Sequence, residues 1–107
     1  MRYAVHLALS LALLCGCAVS PAPQFFGATR QEVALEGYRF TVFVKTGRAE
    51  VVRRGYLPRA ARDRVPALMV RAAEIASGCT VIGPAGGIWR APSLPGDTGE
   101  ARFELAC

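Results

Sequence analysis

Histidine, asparagine and long apolar runs are rare or missing in this sequence. His6 is the only histidine among 107 residues, asparagine does not occur, and Lys45 is the only lysine. The apolar stretch from Ala4 to Leu14 is shorter than the roughly 20 residues that a membrane-spanning helix needs. An apolar fraction of 52% and a net charge of +5 also exclude an intrinsically disordered chain. The length fits one small domain.

The first 17 residues have the layout of an export signal. Arg2 supplies a positive start, and an apolar core follows it. A positive start before an apolar core of this kind is typical of a secretory signal. The core ends in Leu14-Cys15-Gly16-Cys17, which resembles the lipobox of bacterial lipoproteins, where an aliphatic and two small residues precede the lipidated cysteine. Cys15 fits less well, because the bulky Leu14 would stand directly before the cleavage site.

This resemblance implies cleavage after Gly16, diacylglycerol on the Cys17 sulfur and an acyl chain on its amine. Stable anchoring takes at least two lipid chains, so Cys17 would hold the protein at a membrane facing the periplasm. In this class the next residue helps to sort the product, and Ala18 favours the outer membrane over the inner one. An ordinary signal peptide with a chance cysteine, or an uncleaved helix, is the alternative. We expect a removed signal over residues 1–16, a lipidated, flexible tether over 17–31 and one domain over 32–107.

Removal of residues 1–16 narrows the chemistry that the chain can perform. The remaining 91 of 107 residues contain no histidine. Ser-His-Asp and Cys-His catalysis and the usual zinc sites with histidine are therefore excluded. Asp97-Thr98-Gly99 resembles the triplet of aspartic proteases, but it has no second copy, and we assign it to a turn. The segment 83–87 is glycine-rich but lacks the ending of a phosphate-binding loop. We predict no catalytic residue, no metal and no cofactor.

Two cysteines remain after Cys15 is removed and Cys17 is lipidated. Cys79 and Cys107 are an even pair in an exported chain, and export places them in an oxidising compartment where a disulfide is the default. Closing a loop of about 29 residues stabilises a domain by roughly 3–4 kcal/mol in the chain-entropy model. A redox pair is the alternative, but the C-x-x-C motif is missing. We predict a structural disulfide.

Alternation of apolar and polar residues predicts a β-hairpin in the first half of the domain. Four apolar residues at every second position define an inward face of its first strand: Tyr38, Phe40, Val42 and Val44. A two-residue turn at Thr46-Gly47 would place Val42 opposite Val51, with Glu50 pointing outwards. The segment 33–35 is expected to extend the first strand backwards, with Gly37 as a bulge or a break.

One amphipathic helix separates the hairpin from two later strands. It is best placed over residues 63–77, with Asp63 as its N-cap and Gly78 as its stop. Six residues at helical spacing form its apolar stripe: Val65, Leu68, Met69, Ala72, Ile75 and Ala76. Strands are expected at 79–82 and 100–107, and antiparallel pairing would bring their two cysteines together. The order β-β-α-β-β predicts an α+β domain, an antiparallel sheet with one helix packed on it.

Candidate binding residues occur in two places. Five arginines form a basic cluster between the hairpin and the helix: Arg53, Arg54, Arg59, Arg62 and Arg64. Export argues against nucleic acid as their partner and favours an acidic envelope protein or anionic lipid head groups, with a solvated face as the alternative. In the loop over 83–99, Trp89 beside Arg90 would suit an interface, or Trp89 folds back over one end of the core. Phe25 and Phe26 either tuck against the domain or lie at the lipid surface.

These patterns together favour a small, non-enzymatic lipoprotein that binds another component of the envelope. The binding surface would be the basic cluster, the Trp89 loop or a free edge of the sheet. The domain resembles short exported proteins of bacteria in its overall pattern, a likeness that implies no activity. The alternative is an inhibitor or accessory subunit of an envelope enzyme or secretion complex, which would use the loop over 83–99. A hydrolase built on carboxylates is the weakest hypothesis.

Overall fold

A five-stranded antiparallel sheet with one helix on one face makes up the described part of the chain. The computed structural model describes residues 19–92 and 98–107, so the signal segment 1–16, Cys17 and Asp97 lie outside it. The elements are β1 (Thr29–Leu35), β2 (Tyr38–Lys45), β3 (Arg48–Arg54), α1 (Val65–Ser77), β4 (Thr80–Pro84) and β5 (Glu100–Ala106). The strands follow one another across the sheet in the order β1-β2-β3-β5-β4. This confirms the predicted α+β class.

The predicted first strand is in fact two strands, which changes the chain order to β-β-β-α-β-β. Val33 lies opposite Phe40 in the β1–β2 ladder, and Leu35 lies opposite Tyr38. The reversal between them is the pair Glu36-Gly37, with φ of 52° and 84°. Positive φ at both positions is typical of the type I′ two-residue hairpin turn, and glycine adopts it without strain. Thr46-Gly47 makes the same kind of turn between β2 and β3.

The hydrophobic core lies between α1 and the middle of the sheet. Val42 is opposite Val51 and Val44 is opposite Ala49, as predicted. Val42, Val51 and Ala49 are completely buried, together with Leu68 of the helix. Burying one such aliphatic side chain stabilises the fold by about 1.5–3 kcal/mol. The period-two pattern of the hairpin therefore predicted its register correctly.

The helix differs from its prediction at the start and along one side. It begins at Val65, and the residue before it, Arg64, makes no side-chain cap, so Asp63 is not the N-cap. Within the predicted stripe Ile75 is half exposed, whereas Ala73 is completely buried in its place. The buried side of α1 is thus rotated towards Ala73. Gly78 ends the helix in the left-handed conformation, as predicted.

A disulfide joins the start of β4 to the end of β5. Cys79 and Cys107 are bonded, with their Cα atoms 4.6 Å apart, which confirms the predicted bridge. Val81 lies opposite Leu105 in the antiparallel β4–β5 pair that carries it. The strands, helix, core and disulfide that the structure describes all lie between residues 29 and 107. This part of the chain therefore has the core of an independent domain. None of the helices in the described ranges has the length and apolar character needed to cross a membrane.

Candidate functional site

The sheet face opposite α1, here called the second face, is densely charged. Because side chains alternate along each strand, the registers assign ten charged residues to it. Six are basic and four are acidic: Arg30, Arg39, Lys45, Arg48, Arg54, Arg102, Glu32, Glu50, Glu100 and Glu104. The sheet therefore has one apolar face, which packs on the helix, and one face that is held together by ions and hydrogen bonds.

Residues 19–28 lie across part of the second face. The Ala22 backbone N–H donates to Glu50 Oε1 at 2.9 Å, and Lys45 Nζ donates to the Phe26 carbonyl at 2.6 Å. Phe25 is completely buried between these contacts, whereas Phe26 is 59% exposed. Residues 29–31 already belong to β1. The domain therefore extends further towards the amino terminus than the boundary predicted at residue 32.

Phe25 and Trp89 form a small aromatic cluster on the second face. Their ring centroids are 5.4 Å apart in an edge-to-face arrangement. The Arg48 guanidinium lies 4.6 Å from the centroid of the Trp89 ring, a cation–π contact. The Gln24 side chain also donates to the Ile88 carbonyl at 2.8 Å. Trp89 thus folds back onto its own domain, but on the second face and not over the helix-side core.

A buried ion pair, Glu50 with Arg102, lies at the centre of the second face. The two residues are opposite each other in the β3–β5 ladder, and Arg102 Nε donates to Glu50 Oε2 at 2.8 Å. Their side chains are 0% and 6% exposed. Arg102 Nη1 also donates to the Arg90 carbonyl at 2.9 Å. Glu50 points away from the helix, as predicted, but it is buried because residues 19–28 lie over it.

Glu100 belongs to the same network of charged residues, and its pKa is raised. It lies 3.6 Å from Arg102 Nη2. Burial raises the pKa of Glu100 to about 7, helped by its hydrogen bond to Glu50 and the negative charge there, against the lowering effect of Arg102. A carboxyl group with a pKa near neutrality can transfer protons. Glu50, however, has both oxygens engaged, one by Ala22 and one by Arg102.

The raised pKa of Glu100 predicts a pH-dependent stability. The folded state holds this proton more tightly than the unfolded chain, whose glutamate has a pKa near 4.5. Its stabilising contribution is therefore complete below pH 4.5 and is lost as the pH rises through about 7. We therefore compare the free energy of unfolding of Glu100→Gln with that of the wild type at two pH values. The difference should favour the variant by about 1–2 kcal/mol more at pH 8 than at pH 5, after allowance for solvent screening. Urea unfolding at both pH values measures this, and an equal difference at both would contradict it.

The five arginines of the predicted basic cluster do not share one surface. Arg53 and Arg54 are neighbours in β3, so they point to opposite faces of the sheet. Arg53 and Arg62 donate to backbone carbonyls at 3.1 and 2.8 Å. Arg64 forms an exposed ion pair with Glu36, with Arg64 Nε 3.1 Å from the carboxylate. The structure therefore divides the cluster, and only Arg54 lies on the second face.

Arg54 lines a groove at the uncovered end of the second face. The groove has a volume of about 470 Å³, and its lining residues are Arg30, Glu32, Val33, Ala34, Arg39 and Arg54. Arg54 Nη1 is 3.4 Å from Glu32 Oε2 and 3.2 Å from Thr41 Oγ1. The Thr41 hydroxyl donates to the same carboxylate at 2.8 Å. These bonds hold the Arg54 guanidinium in place at the wall of the groove.

Arg39 is the unusual member of this groove. It lies directly opposite Arg54 in the β2–β3 ladder, and like charges in that position repel each other. Its side chain is exposed and has no hydrogen-bond or ion-pair partner within residues 19–92 and 98–107. Three arginines and one glutamate line the groove, which leaves it a charge of +2. An anion bound between Arg39 and Arg54 would relieve their repulsion.

Sequence reasoning missed Arg30 and Arg39 as site residues. Each stands alone among uncharged or acidic neighbours in the sequence, so neither belongs to a visible basic run. The hairpin alternation was the available signal, because it already placed Arg39 on the outward face. The β1–β2 turn was not predicted, however, and without it Arg30 could not be assigned to the same face.

Neither a metal-binding cluster nor a similarity to known proteins assigns a function to this chain. Within the described ranges, no three histidine, cysteine, aspartate or glutamate side chains gather closely enough to hold a metal ion. The chain matches no protein-family model, no curated protein and no solved structure. Its function is therefore inferred from its own residues.

Proposed function

We propose that this protein is a small envelope lipoprotein, anchored by lipid on Cys17, whose domain is a non-catalytic binding module for an anionic group. The arrangement that carries the binding role is the groove in which Arg39, without a partner in the described part of the chain, faces Arg54. The motif Leu14-Cys15-Gly16-Cys17 supports the anchor, and Ala18 favours the outer membrane. No cofactor is part of this proposal.

The contacts of the acidic residues favour a binding module over an enzyme. Glu50 is completely buried, and its two oxygens accept from the Ala22 N–H and from Arg102. A general acid or base must reach the proton that it transfers. Glu100 is partly exposed, but the carboxylate to which it is hydrogen-bonded is that of the buried Glu50. Glu50 thus serves to hold residues 19–28 on the sheet through its bond to Ala22.

Lipid attachment is tested by replacing each leader cysteine. We expect Cys17→Ser to abolish the incorporation of a fatty-acid label and to change the electrophoretic mobility of the protein, because serine offers no thiol for the diacylglycerol. Cys15→Ser is the matched control, since Cys15 would be removed with the signal segment. It should keep full labelling and membrane fractionation. Unchanged labelling and mobility of the Cys17→Ser protein would refute the anchor.

A further inference from the structure

We propose that the groove of Arg30, Arg39 and Arg54 binds the phosphate of an anionic phospholipid head group, in the membrane that carries the anchor. This deepens the proposed function, and it rests on the Cys17 anchor for the position of the groove at a lipid surface. Guanidinium groups bind phosphate through paired, charge-assisted hydrogen bonds, which makes arginine better suited to this ligand than lysine. Each lining cation of the groove is an arginine.

The three guanidinium groups differ in how they are held, and the difference suits one phosphate. Arg54 is fixed by Glu32 and Thr41. Arg30 pairs with Glu32 through Nη2 at 3.1 Å and lies 5.9 Å from the centroid of the Phe43 ring. Arg39 has no such bond among the described residues. A phosphate on the Arg39 side of the groove would accept from Arg39 and Arg54 without breaking the Glu32 contacts, while Arg30 adds positive charge at the other end of the groove.

The chain path places this groove next to the proposed anchor. Arg30 Nη1 donates to the Val19 carbonyl at 3.1 Å, so a lining residue of the groove holds the first described residue. Cys17 is two residues before Val19, and two residues of extended chain span at most about 7 Å. A lipid on Cys17 would therefore keep Arg30 within reach of the head-group layer, where anionic lipids attract basic side chains.

The shape and charge of the groove favour a head group over an acidic protein segment. Its volume of about 470 Å³ is that of a small-molecule site. Glu32 lies inside it, between Arg30 and Arg54, and would repel the successive carboxylates of an acidic peptide. A single phosphate avoids this repulsion by binding on the Arg39 side.

Vesicle binding by the chain from residue 18 to 107 tests the inference. This chain lacks Cys17, so lipidation does not contribute, and it contains all the elements of the fold. We expect it to bind phosphatidylcholine vesicles only when they contain phosphatidylglycerol. The double variant Arg39→Gln/Arg54→Gln should bind these vesicles at least about tenfold more weakly than the wild type, because each basic residue near an anionic surface contributes severalfold to binding. Co-sedimentation at physiological salt measures the partition coefficient.

Arg59→Gln/Arg71→Gln is the matched control for this test. Both residues are exposed and away from the groove, and the change in net charge is identical. We expect less than about a threefold loss, since diffuse attraction depends weakly on any one charge. An equal loss in the two double variants would overturn the groove as the site, as would the absence of wild-type binding to the anionic vesicles.

Two further measurements test which source of phosphate the groove binds and whether the variant still folds. Inorganic phosphate, compared with sodium chloride at equal ionic strength, should displace the protein only partly, because free phosphate competes for the groove without the other membrane contacts. Complete displacement would assign the groove to free phosphate instead. Arg39→Gln alone should weaken binding about threefold at a melting temperature that is unchanged or slightly raised, because Arg39 makes no bond among the described residues and its repulsion with Arg54 is removed. Labelling at Cys17 is measured in cells and is independent of these results, so the anchor and the groove can fail separately.

Discussion

Arg102→Ala is expected to lower the free energy of unfolding by about 3–5 kcal/mol. The substitution leaves the Glu50 carboxylate completely buried with no cation against it. A buried charge without its partner is strongly destabilising, whereas the intact pair stabilises little beyond a well-packed apolar pair. The cost should extend to residues 19–28, because Ala22 is bound to the same carboxylate. Urea unfolding gives the free energy, and limited proteolysis before β1 reports the release of the segment.

The ion pair of Arg64 with Glu36 is the matched control for this prediction. It also joins an arginine to a glutamate, but the two side chains are 62% and 42% exposed. Arg64→Ala should therefore cost far less than Arg102→Ala, because exposed ion pairs contribute little to stability. The double substitution Glu50→Gln/Arg102→Met should recover a large part of the loss, because it removes both charges at similar volume. If Arg102→Ala cost no more than Arg64→Ala, the buried pair would not have the role inferred for it.

Removal of the disulfide is expected to cost about 3–4 kcal/mol, from loop-closure entropy alone. Cys79 and Cys107 are 28 residues apart, and the loop between them contains β4 and β5. In the described part of the chain β4 is an edge strand that pairs only with β5, so the bridge ties this edge to the sheet. Small domains depend on such bridges, because they bury a limited share of their surface on folding.

Unfolding in urea with and without a thiol reductant measures the contribution of the bridge. The midpoint for the wild type should fall on reduction to that of the double variant Cys79→Ser/Cys107→Ser. The double variant itself should not respond to the reductant, which controls for other effects of the reagent. A wild-type midpoint that reduction leaves unchanged would show that packing of β4 on β5 suffices without the bond.

The features that were predicted correctly depend on local alternation or on the count of cysteines. Alternation about Thr46-Gly47 determined that Val42 faces Val51, because a two-residue turn leaves one register that puts the apolar residues on one face. Export and cysteine count predicted the Cys79–Cys107 bridge. The Glu36-Gly37 turn was missed, although it is the same kind of turn as Thr46-Gly47, because a glycine within an apolar pattern also fits a bulge.

The apolar stripe predicted most, but not all, of the buried side of the helix. Val65, Leu68, Met69 and Ala72 are buried as the spacing predicted. At the edge of the stripe, Ile75 and Ala73 are exchanged, and hydrophobicity alone favours the larger side chain for the core. The rotation of α1 on the sheet decides such positions, and residue spacing leaves a rotation of this size open.

The sequence by itself determined the α+β class, the hairpin register and the disulfide, and it predicts a lipid anchor at Cys17. Only the tertiary structure decided the second face. Residues 19–28 bury Glu50 and Arg102 there, although both lie at outward positions of their strands. The strand register places Arg39 of β2 opposite Arg54 of β3. The physical reason is that alternation assigns a side chain to a face of the sheet, whereas burial and charge pairing depend on what long-range contacts bring over that face.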